Sequence, residues 1–153
     1  MGKYCNLSIV ALVSLVSLFL TSCASSSSVT TIANGNDLTQ YKYVIFGSSE
    51  EGDAELNDIS LIVQNEISNK LQVVSSEKAM SLMSLGNKVL TPKINIKSEK
   101  WEGGYTYITI SFYDFETSQM VAVVKSSGIG WSIAHDQKLA LEAIKKELDK
   151  TFK

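Results

Sequence analysis

YTYITISFYDFETSQMVAVVKSSG, residues 105–128, decides the architecture of this chain. Ile108, Ile110 and Phe112 alternate with Tyr107, Thr109, Ser111 and Tyr113, the two-residue period of a strand with one face on a core. ETSQ supplies a turn, and MVAVVKSSG returns as the β-branched partner of a hairpin. A hairpin with one apolar face needs other elements to cover it, and the flanking sequence supplies helices.

Downstream, AHDQKLALEAIKKELDKTF sets Ala140, Ala143, Ile144 and Leu148 on one helical face, with lysines toward the C-terminal end, where the helix dipole favours cations. Upstream, YKYVIFG reads as a first strand closed by Gly47. DAELNDISLIVQNEISNKL follows with Leu56, Ile59, Val63, Ile67 and Leu71 at spacings of three and four, and with Asp53 and Glu55 at the positive end of the helix.

Between these segments, LQVVSS is a short strand and EKAMSLMSLGN a brief helix ended by Gly86 and Asn87, with Met80 and Met83 expected in the core. KVLTPKINIKSEK places Ile94 and Ile96 opposite its lysines, and Pro92 marks an edge or a strand start. The order βαβ(α)βββα over residues 41–153 predicts an α+β domain: a mainly antiparallel sheet of about four to five strands with two main helices on one face.

The N-terminus has a different design. MGKYCN carries Lys3 and no acid, and LSIVALVSLVSLFL is an apolar run broken only by serines, the layout of a secretory signal. A permanent membrane span needs about 20 apolar residues, more than this run offers. Leu20-Thr21-Ser22-Cys23 ends the run and resembles the bacterial lipobox. That resemblance implies cleavage between Ser22 and Cys23, a diacylglyceryl thioether on Cys23 and acylation of the new amino group. Asn6 stands where N-myristoylation would want Ser or Thr.

Further implications follow from the lipobox resemblance. Ala24 is not the aspartate that retains lipoproteins in the inner membrane, and no acidic cluster of the surface-display type follows Cys23. An outer-membrane anchor facing the periplasm is therefore expected. CASSSSVTTIANGNDLTQ, residues 23–40, has little to bury and reads as a flexible tether. The expected organisation is a signal at 1–22, a tether at 23–40 and one domain at 41–153.

Without residues 1–22, about 130 residues remain, enough for one domain with a real core. Cys5 leaves with the signal, so an acylated Cys23 leaves no free thiol, disulfide or cysteine metal site. Every basic residue is lysine and the net charge is −2, which disfavours nucleic-acid binding and bidentate recognition of phosphate. No cofactor is implied.

DLTQYKYVIF before the first helix and YDFETSQMVAVVKSSGIG before the last resemble the small α/β domains of envelope lipoproteins, over Leu38 to Phe152. That family includes the curli-secretion lipoprotein and the lipoprotein activators of penicillin-binding proteins. The resemblance implies a non-catalytic binding or assembly-accessory domain with an envelope protein as partner. The tether here is short and lacks proline, unlike the long linkers of the activators.

Chemistry-bearing residues are few. GIGWS lacks the third glycine of a dinucleotide fingerprint, Ile133 standing in its place, so its glycines are expected to turn the chain from sheet to helix. Ser132, His135 and Asp136 hold the residue types of a hydrolase relay, the basis of an alternative reading as a small envelope hydrolase, although near neighbours rarely converge in the required geometry. Glu50, Glu51, Asp53, Glu55 and Asp58 lack the calcium-loop spacing and read as helix capping and solubility. Trp101, Tyr105 and Trp131 fit either a binding surface or turn packing.

Overall fold

The computed structural model describes residues 24–47, 54–101 and 104–153. The acidic residues Glu50, Glu51 and Asp53, the signal and Cys23 lie outside the described residues, as does the side chain of Glu55. The elements are β1 (Ser25–Ile32), a 3-10 turn (Leu38–Gln40), β2 (Tyr41–Val44), α1 (Ala54–Ser68), β3 (Gln72–Val73), α2 (Ser76–Ser84), β4 (Lys88–Ser98), β5 (Thr106–Asp114), β6 (Met120–Ile129) and α3 (Ile133–Thr151).

The fold is α+β, with one six-stranded mixed sheet in the order β1-β6-β5-β4-β2-β3. β4, β5, β6 and β1 pair antiparallel, while β2 runs parallel to both β3 and β4. The sixth strand is β1, and it corrects the expected tether: Ser25–Ile32 is an edge strand paired along its full length with β6, from Ser25 opposite Ile129 to Ile32 opposite Ala122. The sheet therefore includes Ser25–Ile32, ahead of Tyr41. A serine-rich edge strand can be stable because pairing with a packed neighbour satisfies its backbone without any apolar face of its own.

The alternation in β5 holds: Ile108, Ile110 and Phe112 are fully buried. They meet Ile59, Val63 and Ile67 of α1 and Ala140, Ile144 and Leu148 of α3 in one core, so the two main helices cover one face of the sheet. Gly128 makes the approach of α3 possible, since a side chain there would collide with the backbone of Asp136 and Ala140. Its role is close packing of strand on helix, not only a turn.

α2 takes the opposite face. Val89 packs with Ile45, Ala79 and Leu82 in a second small cluster, whereas its neighbour Leu90 points into the main core. Met83 packs against this cluster, but Met80 is 60% exposed, contrary to the expected core position. A nine-residue helix over the corner of a sheet can bury only one narrow stripe. Pro92 sits inside β4, beyond the last β2 pair at Leu90, where that side of the strand is locally an edge and the missing N–H costs nothing.

Candidate functional site

β1 is pinned as well as paired. Ser28 and Thr30, on its helix-facing side, donate to Oε2 and Oε1 of Glu147 at 3.0 Å each, and Lys150 Nζ adds a 3.1 Å contact to Oε2. Thr30 Oγ1 also lies 2.8 Å from Thr151 Oγ1. Burial works against the Glu147 charge, yet the bonds from Lys150, Thr30 and Ser28 outweigh it and hold the carboxyl below the usual range. Sequence reasoning missed this residue. The available signal was a carboxylate next to Leu148 inside the apolar stripe of α3.

The pairing of Ser25 with Ile129 fixes where the N-terminal segment attaches. Cys23 precedes Ser25 by two residues, a reach of at most about 7 Å. Ser25 itself lies at the end of the sheet where β6 passes into α3.

That junction holds the residues singled out as a possible relay. Ser132 is the N-cap of α3, its Oγ accepting the backbone N–H of His135 at 3.3 Å. The contact between the two residues runs through the backbone, not through the imidazole. Asp136 is buried and accepts the Gly130 N–H on Oδ1. His135 Nδ1 and Asp136 Oδ2 are both buried without a partner, so the carboxylate does not orient the imidazole through Nδ1. A serine relay requires the base to be aligned by a third group and to reach the hydroxyl, and this cluster instead closes the start of a helix.

The imidazole does have a neighbour, the indole of Trp131, stacked at 3.6 Å between ring centroids with 28° between planes. Gly130 leaves room for it, since a side chain there would run into the His135 ring. Trp131 and Trp101 are each 66% exposed, and Tyr105 stacks on Tyr107 at 5.6 Å.

At the other end of the sheet, Tyr41 donates to Asp114 Oδ2 at 2.9 Å, while Asp114 Oδ1 takes the Thr117 N–H and hydroxyl at 2.8 and 3.0 Å. Burial, then the bond to Asp114, pushes the Tyr41 phenol up to about 12. These contacts shape the β5–β6 turn, in which Ser118 adopts a left-handed backbone.

Among the described residues no three His, Cys, Asp or Glu side chains gather to hold a metal ion, and Asp58 is an exposed residue of α1. No helix among them is long and apolar enough to cross a membrane.

No protein-family model and no curated protein matches the chain. Solved structures do. The PelC dodecamer from Paraburkholderia phytofirmans is 17% identical, with a TM-score of 0.50 over 84% of this chain and 98% of that one. A single-substitution variant of it, also a dodecamer, is 16% identical, with a TM-score of 0.50 over 84% and 99%. A minor lipoprotein from Acinetobacter baumannii is 12% identical, with a TM-score of 0.34 over 72% and 88%. At these identities the PelC likeness is one of fold.

Proposed function

We propose that this chain is an envelope lipoprotein, anchored through acylated Cys23 in the outer membrane and facing the periplasm, whose α+β domain is a non-catalytic binding or assembly module. The observation that carries the reading is the junction of lipobox and sheet. Leu20-Thr21-Ser22-Cys23 is followed within two residues by a strand paired into the core sheet. Such a design holds a domain against the bilayer at a fixed place. An enzyme patrolling the periplasm or an activator crossing the cell wall would want the opposite, a long tether.

The use of Ser132 as a helix cap supports a non-catalytic domain. The fold shared with PelC, whose solved form is a dodecamer, supports assembly as its task, with further copies of the chain or another envelope protein as partner.

Intact mass of the purified full-length product tests the anchor. A chain beginning at Cys23 with an acyl-sized mass excess is expected, and an unmodified chain beginning elsewhere overturns the reading. Cys23→Ser removes the only atom that can form the thioether and is expected to abolish lipoprotein processing while the domain still folds. Crosslinking in intact envelopes tests the assembly role: a reproducible partner or a self-crosslinked ladder is expected, and monomer alone counts against it.

A further inference from the structure

We infer that one end of the sheet is a membrane-contacting surface, on which Trp101, Tyr105, Tyr107 and Trp131 enter the headgroup region of the bilayer that holds Cys23. The inference rests on the lipoprotein reading and adds to it an orientation and a set of residues.

The strand registers place the surface. Ser25 at the start of β1 lies opposite Ile129 at the end of β6, Gly128 lies opposite Thr106 at the start of β5, and Thr106 lies opposite Ser98 at the end of β4. These four chain ends share one edge of the sheet, about 15 Å across for strands spaced at about 4.8 Å. Trp131 follows Ile129 by two residues, Trp101 follows Ser98 by three, and Tyr105 precedes Thr106. Cys23 precedes Ser25 by two residues of sequence, at most about 7 Å of chain, so a lipid on it can reach the same plane.

Among the described residues, all four strongly exposed aromatic side chains, Trp101, Tyr105, Tyr107 and Trp131, lie at this end. The exposed apolar side chains at the opposite end of the same strands, Ile32 and Met120, are aliphatic. Tryptophan and tyrosine concentrate at membrane–water interfaces because an apolar ring carries a polar tip that hydrogen-bonds at headgroup depth. Here the rings are also braced: Trp131 stacks on His135, and Tyr105 on Tyr107. Bracing lowers the entropy lost on insertion. Lys97, exposed beside Tyr107 in the register, can extend its ammonium to lipid phosphates while its stem follows the rings.

The chain contains two tryptophans, so its intrinsic indole emission reads this end alone. The full-length lipidated protein is reconstituted into phosphatidylethanolamine/phosphatidylglycerol vesicles, with and without lipids brominated near the top of the acyl chains. Blue-shifted emission, quenching by the shallow bromines and protection from acrylamide are expected, and also in Trp101→Phe and Trp131→Phe, each of which leaves one indole. If intact mass shows acylated Cys23 but the emission stays unquenched and open to acrylamide, the contact surface is overturned and the lipoprotein reading stands. A mass without acyl chains overturns the lipoprotein reading, and this inference with it.

Discussion

Thr30 Oγ1 donates a 3.0 Å hydrogen bond to Oε1 of Glu147, joining the N-terminal edge strand to the last helix across 117 residues of chain. With the Ser28 bond to the other carboxylate oxygen, it makes Glu147 the principal side-chain link between β1 and α3. Replacing Glu147 with alanine removes the carboxylate that accepts from Ser28, Thr30 and Lys150 at a part-buried seam. A loss of about 2 to 3 kcal/mol is expected, with Glu147→Gln losing less because it keeps one acceptor. Denaturant unfolding measures the loss, and hydrogen exchange should show the β1 amides opening well before those of β5. Uniform protection of β1 in Glu147→Ala would refute the role of the pin.

The same carboxylate sets an acid limit. Its folded-state value is depressed, and so is that of Asp114, where burial opposes the charge but bonds from Thr117 and Tyr41 outweigh it. A depressed carboxyl contributes stability that is fully present above the unfolded values, about 4.3 for Glu and 3.9 for Asp, and is lost as pH falls through the folded ones. Unfolding midpoints measured downward from pH 5 should therefore fall, and Glu147→Gln should flatten part of that slope. An unchanged slope in that variant would contradict the assignment.

Tyr41 works in the opposite direction. Its raised folded value, about 12, gives stability that is complete below the unfolded value and is lost as pH rises through the folded one. In an alkaline absorbance titration a late-ionising tyrosine phase is expected, and it should vanish in Tyr41→Phe. That variant is expected to cost about 1 to 2 kcal/mol, because it removes a donor from a buried carboxylate. Loss of a different phase would reassign the late tyrosine.

Gly128→Ala tests the seat of α3. The new methyl would meet the backbone of Asp136 and Ala140, which cannot move without shifting the helix. Destabilisation on the order of 3 kcal/mol is expected. Gly47→Ala, at a position with open space around it, is the control and should change thermal stability little. Equal effects of the two would show that α3 packs less closely on β6.

The sequence by itself determined the elements whose own pattern carries their fate. The alternation of Ile108, Ile110 and Phe112 set both the strand and its buried face, and the spacing of Ala140, Ala143, Ile144 and Leu148 set the inner face of α3. In each, apolar residues recur at the period of the element, so burial follows from local geometry. Only the tertiary structure decided the rest. SSSSVTTI has no apolar period, and it becomes a strand because β6, about a hundred residues away, offers an unpaired edge and Glu147 two acceptors. Met80 and Met83 belong to one helix pattern, but which of them is covered depends on the face of the sheet that α2 meets. Ser132 could be read as a nucleophile or a cap until the fold fixed where α3 begins. The separation has one physical cause: a residue's period along the chain is a local property, whereas the partner that satisfies a polar edge or covers a corner is supplied from far away in sequence.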